Sequence, residues 1–253
     1  NIDRRIDLTN LNTFTIDPEN AKDFDDAISI QKRNSFTELY IHIADVSTFI
    51  KENSNNDQRA LERGNSYYFN EQTTHMLPEF LSTNICSLVP GKKRLALSLK
   101  ITLNSDCDVE CFSFFDSVII SDRKFHYGEV EKIIHSKKEG SILTEIKKLK
   151  LITDKLKKKR LSKDGFNLDN NEIFFELDKK GNPIKSHKLK KLQAHEMIEE
   201  CMLLANMLAS LHINNLQNKL NFFGIYRNHE KVSIKNEIYL KELISFIKIS
   251  FIC

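Results

Sequence analysis

Asp17, Asp23, Asp25 and Asp26 fall within one short stretch, Thr15-Ile16-Asp17-Pro18-Glu19-Asn20-Ala21-Lys22-Asp23-Phe24-Asp25-Asp26-Ala27. Carboxylates held a few ångströms apart repel one another, which raises a pKa and costs stability unless a cation neutralises them. No His or Cys lies in the stretch, so the ligands on offer are oxygens and the cation they suit is hard. Magnesium fits best, because it takes one or two carboxylates together with phosphate oxygens and keeps several waters. An EF-hand calcium loop is excluded. It needs Gly at its sixth position and Glu at its twelfth, and counting from Asp17 those positions hold Lys22 and Ile28. The alternative is a solvated acidic loop with no metal, and against it stand Phe14, Ile16, Phe24, Ala27, Ile28 and Ile30, which hem the carboxylates in.

The elements that must position these groups are strands. Thr13 to Ile16 and Ala27 to Gln31 read as strands on either side of the turn, and Glu38 to Val46 as a third, with alternating apolar residues. Asp57 is the expected N-cap of a helix carrying Ala60, Leu61 and Arg63, which Gly64 ends. Pro78 starts a short helix. Arg94 to Leu103 and Val109 to Ser121 form a strand pair around the turn residues Asn104-Ser105-Asp106. From Asp122 onward the pattern turns helical, with Ile142, Ile146, Leu149, Ile152 and Leu156 marking one face of a helix over Ser141 to Arg160. A β run at Ile173 to Leu177 ends in the turn signal Lys180-Gly181-Asn182-Pro183. The longest helix is expected from Leu189 to about Leu216, with Ile198, Cys201, Met202, Ala205, Leu208 and Ala209 inward, and a last one over Lys235 to Ile249. The fold class is therefore α+β: a mixed, mostly antiparallel sheet packed against helices, strand-rich over 1–125 and helix-rich over 126–253.

With 253 residues, 40% hydrophobic and 29% charged, the chain has the composition of a globular protein. It contains no apolar run near the roughly 18 residues that a membrane span needs, and no apolar segment marks a secretory leader. The five cysteines are scattered without paired spacing, so they read as buried hydrophobes or free thiols of a reducing cytoplasm, not zinc ligands. His195-Glu196-Met197-Ile198-Glu199 misses the zinc-protease helix by placing Glu199 where a second His belongs. His195 reads as a partly buried helix residue. The net charge of +3 is mild, but lysines crowd 147–163 and 185–191. That is either the footprint of a phosphate backbone or a solvated helix face.

The acidic stretch resembles the catalytic signature of the ribonuclease II and ribonuclease R family, the RNB domain. Four further segments are similar to family segments and follow in the family's order: Ile41-His42-Ile43-Ala44-Asp45-Val46-Ser47, Arg63-Gly64-Asn65-Ser66-Tyr67-Tyr68-Phe69, Met76-Leu77-Pro78-Glu79-Phe80-Leu81-Ser82 with Cys86-Ser87-Leu88, and His195 to Asn206. The resemblance implies a magnesium-dependent 3′-to-5′ exoribonuclease that releases 5′-nucleoside monophosphates from single-stranded RNA. Asp17, Asp23, Asp25 and Asp26 would hold magnesium directly or through water, with Asp25 closest to the attacking water.

By the same resemblance Tyr68 meets the 3′-terminal bases. Packing of Tyr67, Tyr68 and Phe69 into a core is the alternative. Glu199 would bond ribose or base near the cleavage point, and Arg227 would contact phosphate, or else serve as a surface ion-pair partner. The chain shows neither the cold-shock and S1 segments that load RNA in the family nor the later Tyr and Arg segment that completes its active site. A partial RNB domain, monomeric and cytoplasmic, is the expectation. The competing expectation is a degenerate member that binds RNA without efficient cleavage.

Overall fold

A computed structural model describes residues 4–69, 73–137, 139–162, 172–178, 181–189, 191–217, 219–220, 222–226 and 233–250. It divides into two compact units, Asn1–Leu208 and Ala209–Cys253. The first unit is built on a sheet of seven strands among the described residues: β1 (Ile6–Asp7), β2 (Thr13–Asp17), β3 (Asp26–Arg33), β4 (Phe36–Ala44), β7 (Lys93–Leu103), β8 (Val109–Ile120) and β9 (Arg123–His126). Two short strands, β5 (Tyr67–Tyr68) and β6 (Thr73–Thr74), pair separately, as do β10 (Glu172–Leu177) and β11 (Pro183–Leu189). The large sheet runs β1-β8-β7-β4-β3-β2-β9. Its four inner pairings are antiparallel and its two edge pairings, β1 with β8 and β2 with β9, are parallel. This is the α+β class the sequence implies.

Side-chain alternation gives the sheet two buried faces. One face sends Phe14, Ile16, Ile28, Ile30, Leu39, Ile41, Leu99 and Ile101 into a core shared with three helices: α2 (Tyr127–Ile134), α3 (Ser141–Ser162) and α4 (Gln193–Gln217). The other face is covered by a smaller cluster of Phe24, Ala27, Ala44, Leu88, Ala96 and Ile119. Phe24 thereby ties the acidic stretch to the sheet. On this face runs a chain of buried polar side chains. Thr13 Oγ1 meets Ser29 Oγ at 2.7 Å, His42 bridges Ser29 (3.0 Å) to Ser98 (2.6 Å), and Ser98 Oγ meets Ser117 Oγ at 2.6 Å. These contacts cross five strands and satisfy polar groups that burial would otherwise penalise.

Several local expectations change. Helix α1 (Asn55–Arg63) is capped by Ser54, whose Oγ accepts from the Asp57 amide; Asp57 lies in the first turn and accepts from Asn53 N instead. Gly64 ends it at φ 71°, a left-handed conformation that favours glycine. The segment after Pro78 forms a wide helical turn over Leu81–Ile85. Arg123–His126, expected to be helical, is instead strand β9, and its last residue caps α2 through Nδ1, which accepts from Glu129 N at 3.2 Å. Helix α4 begins at Gln193, and its buried stripe includes Ala194, Met197, Glu200 and Leu204 beside Ile198, Cys201 and Leu208.

The second unit contains the end of α4 and α5 (Ile234–Ser250). Gly224 N donates to Gln217 Oε1 at 2.9 Å, and a Cβ at Gly224 would stand 2.7 Å from Ile213 Cγ2, so a larger residue there would force neighbouring side chains to shift. Among the described residues, no helix is long and apolar enough to cross a membrane. Cys86, Cys107, Cys111 and Cys201 are free thiols.

Candidate active site

Asp17 ends β2 and Asp26 begins β3, so the sheet itself delivers the two outer carboxylates. The strands pair only at Thr13 with Ser29 and Phe14 with Ile28. Beyond that point β2 leans on β9, with Asp17 opposite His126, and residues 18–25 are left to loop out. Ala21 N donates to Pro18 O at 3.1 Å within the loop, and several of its other carbonyls and amides are satisfied from outside. Lys124 Nζ, on β9, donates to Glu19 O at 3.0 Å and Ala21 O at 2.9 Å, and stands 4.8 Å from the Phe24 ring centroid. Ser87 Oγ donates to Lys22 O and accepts from Phe24 N, both at 2.9 Å. Leu88 N donates to Phe24 O, and Asp25 O accepts from Ala44 N, each at 2.9 Å. Arg94 in turn holds Ser87, donating through Nε to its carbonyl at 2.9 Å.

The carboxylates so placed carry a cost. Burial pushes Asp17 up to about 6; the Thr15 hydroxyl and Lys124 oppose the rise, and the Asp25 and Asp23 charges add to it. Burial likewise pushes Asp26 up to about 7, with Asp17 and Asp25 adding to it. Asp25 is exposed as a residue, and its carboxyl is raised by partial loss of water around it and by Asp23. Asp17 is 9% exposed, and its Oδ2 has no hydrogen-bond partner among the described residues. An orphaned buried carboxylate oxygen beside further carboxylates is a position a cation would relieve.

Among the described residues, no three His, Cys, Asp or Glu side chains are arranged as a complete ligand set. The donors present are carboxylate oxygens, which suit a hard cation, but as they stand they do not form a ligand cluster. Tyr127 of α2 faces the same carboxylates. Burial first, then the Asp17 and Asp26 charges, push its phenol up to about 12.

Tyr68 joins this group through Asp23: its hydroxyl donates to Asp23 Oδ2 at 2.6 Å. Tyr67, Tyr68 and Phe69 are all exposed, not core, with Tyr68 64% exposed. His75 Nδ1 lies 3.9 Å from the same Asp23 oxygen. Glu199 is exposed on α4 and pairs with Lys191 at 2.5 Å. Its neighbour Glu200 is buried and pairs with Arg160 at 2.5 Å. Arg227 lies outside the described residues. His195 stacks on Tyr127 with ring centroids 3.9 Å apart, and its Nδ1 accepts from Leu192 N at 3.1 Å.

Much of the lysine run is engaged with the fold. Lys150 pairs with Asp154, Lys157 with Glu196 at 2.6 Å and Lys159 with Asp108 at 2.5 Å, while Lys155 donates to Ser105 O at 2.7 Å. Sequence reasoning passed over Lys124, Ser87, His75 and Tyr127. Only Ser87 carried a signal there, as part of a motif segment. The others act through contacts that no local pattern encodes.

The site is thus a cluster of four aspartates on a mixed-sheet α+β domain, Asp17 and Asp26 at strand ends and Asp23 and Asp25 in the loop between them, with Tyr68 hydrogen-bonded to Asp23. A family profile described as RNB domain matches residues 5–250. The chain belongs to the RNB domain family. It is 33% identical over 235 residues to ribonuclease R of Aquifex aeolicus, covering 90% of this chain and 33% of that protein. It is also 33% identical over 245 residues to ribonuclease R of Buchnera aphidicola from Acyrthosiphon pisum, covering 94% and 33%. The chain thus spans about a third of the length of these curated relatives. Mycoplasma genitalium RNase R in complex with ribose-methylated single-stranded RNA superposes with a TM-score of 0.80 at 28% identity, over 91% of this chain and 40% of that one.

Proposed function

We propose that this RNB domain is the catalytic part of a magnesium-dependent exoribonuclease that degrades single-stranded RNA from its 3′ end to 5′-nucleoside monophosphates. The observation that carries the reading is the carboxylate cluster at and between the strand ends, with the Oδ2 of buried Asp17 unpaired and Asp17 and half-buried Asp26 pushed up to about 6 and 7. Membership of the RNB family and the likeness to ribonuclease R relatives support it, as does the RNA bound by the M. genitalium protein.

Asp17, Asp23, Asp25 and Asp26 would hold magnesium directly or through water; once bound, the ion lowers the pKa of water and neutralises charge on the phosphate. Asp25 would orient the attacking water in line with the leaving oxygen. Tyr68 would receive the terminal base on its ring face, a contact worth roughly 1–3 kcal/mol that tolerates any sequence. Glu199 would meet ribose, the group that separates RNA from DNA, after exchanging its Lys191 partner, and Arg227 would meet phosphate. The domain would act as a monomer in the cytoplasm, in keeping with its free thiols, on RNA loaded by cold-shock-like and S1-like modules.

The incomplete ligand set among the described residues favours one other reading, an RNA-binding domain without efficient cleavage. A 5′-labelled, 3′-tailed RNA incubated with magnesium separates the two. Stepwise shortening that vanishes in Asp25→Asn and in EDTA supports the nuclease; retained binding without shortening by the parent chain overturns it in favour of the binder.

A further inference from the structure

We propose that Asp23 is a positioning residue for Tyr68: its carboxylate fixes the phenol, and with it the ring on which the 3′-terminal base of the RNA stacks. The inference rests on the exoribonuclease reading above and deepens it. Tyr68 belongs to a two-residue strand paired with Thr73 and is 64% exposed, so packing does little to set the attitude of its ring. What restrains it is the hydroxyl, which donates to Asp23 Oδ2 at 2.6 Å.

Asp23 is a rigid anchor because Ser87 grips the chain on both sides of it, at Lys22 O and Phe24 N, each at 2.9 Å. His75, whose side chain is 11% exposed, stands behind the same oxygen at 3.9 Å and limits where the carboxylate can turn. A ring held in place beforehand loses less rotamer freedom when a base stacks on it.

Charge makes the proposal easy to separate from its opposite. Asp23 presents a negative charge to a polyanion, so a carboxylate with no positioning role would weaken RNA binding, and its removal would tighten it. A positioning carboxylate gives the reverse sign.

The test is fluorescence anisotropy with a 5′-fluorescein-labelled single-stranded oligoadenylate in EDTA, where neither cleavage nor cation enters. Asp23→Ala and Tyr68→Phe are each expected to weaken binding about threefold to tenfold, and the double variant no further than either. Asp23→Asn keeps an oxygen that accepts from the phenol and stays near the parent, while Glu19→Gln, a control for lost charge at an exposed position of the same loop, binds as well or more tightly. In protein carrying 3-fluorotyrosine, the Tyr68 fluorine resonance, assigned by its loss in Tyr68→Phe, moves in Asp23→Ala without RNA. An Asp23→Ala protein that binds as tightly as the parent, additive effects in the double variant, or an unmoved resonance overturns the proposal alone. A parent chain that binds no RNA overturns the functional reading together with it.

Discussion

Lys124 Nζ reaches from β9 to the carbonyl oxygen of Ala21 at 2.9 Å, and so fastens the acidic loop to the strand beside β2. With its second bond, to Glu19 O, the ammonium closes the loop from one side while Ser87 closes it from the other. The same cation opposes the rise in the Asp17 pKa.

Lys124→Met should therefore act on geometry and charge together. Two charge-assisted hydrogen bonds are lost from a partly buried position, a cost of about 1–3 kcal/mol, or a fall in Tm of several degrees. The magnesium midpoint measured by calorimetry should rise severalfold, because the loop no longer presents its carboxylates in one arrangement. Lys124→Arg should recover much of both. An unchanged midpoint in Lys124→Met would leave the residue a purely structural role.

The raised carboxylates fix the sign of the pH dependence. Asp17 and Asp26 ordinarily lose their protons near 3.8 and hold them to about 6 and 7 when folded. As pH climbs from about 4 to 7 the unfolded chain releases these protons before the folded one does, so the unfolded state binds fewer and stability falls with rising pH. In EDTA, Tm should decline across that window, and Asp26→Asn should flatten the decline. Under the proposed function magnesium would compete with the same protons, so its affinity should strengthen over the same range. A Tm that rises through this window in EDTA would contradict the burial-driven shifts.

Much of the sheet can be read from alternation alone: β2, β3, β4, β7 and β8 lie within a few residues of their expected bounds. β9 cannot. Its four residues owe their extended form to a parallel pairing with β2 from far along the chain, and the His126 cap that starts α2 leaves no Ser, Thr, Asn or Asp to mark the helix start. The same limit applies to the site. The crowding of aspartates is visible in a string of letters, whereas the Tyr68 bond to Asp23 and the Lys124 staple are products of the fold. The lysine run shows the converse: its charge is legible, but its partners Asp108, Glu196 and Glu200 become visible only once α3 lies against them.

His42 sits at the middle of the buried polar chain and is held neutral, burial pulling its pKa down to about 3. A histidine depressed in the fold contributes stability above its ordinary value near 6.5 and loses it as pH falls toward 3. His42→Leu removes the bridge between Ser29 and Ser98, although each keeps a second hydroxyl partner, Thr13 or Ser117. The expected loss is about 1–3 kcal/mol at neutral pH, seen as a lower urea midpoint with an unchanged slope. It should shrink in acid, where the parent no longer gains from a neutral imidazole. A loss that stays constant from neutral pH into acid would show that His42 contributes through shape alone.

Arg160 and Glu200 join α3 to α4 through an ion pair whose two ends differ. Glu200 is 4% exposed, whereas the Arg160 side chain is 37% exposed. The carboxylate has exchanged water for two guanidinium contacts, at 3.2 and 2.5 Å. Arg160→Met strands that charge inside the helix interface. Breaking a buried pair from one side costs about 3–5 kcal/mol, and the exposure of Arg160 lowers the expectation to about 2–3 kcal/mol. The double variant Arg160→Met with Glu200→Met removes both charges and should be far milder than the single change, since an apolar pair of similar volume can replace a buried ion pair at little cost. Chemical denaturation of the four proteins in this cycle measures the difference. If the double variant is as unstable as Arg160→Met, the stranded carboxylate is not the source of the loss, and packing of the arginine stem against α4 is.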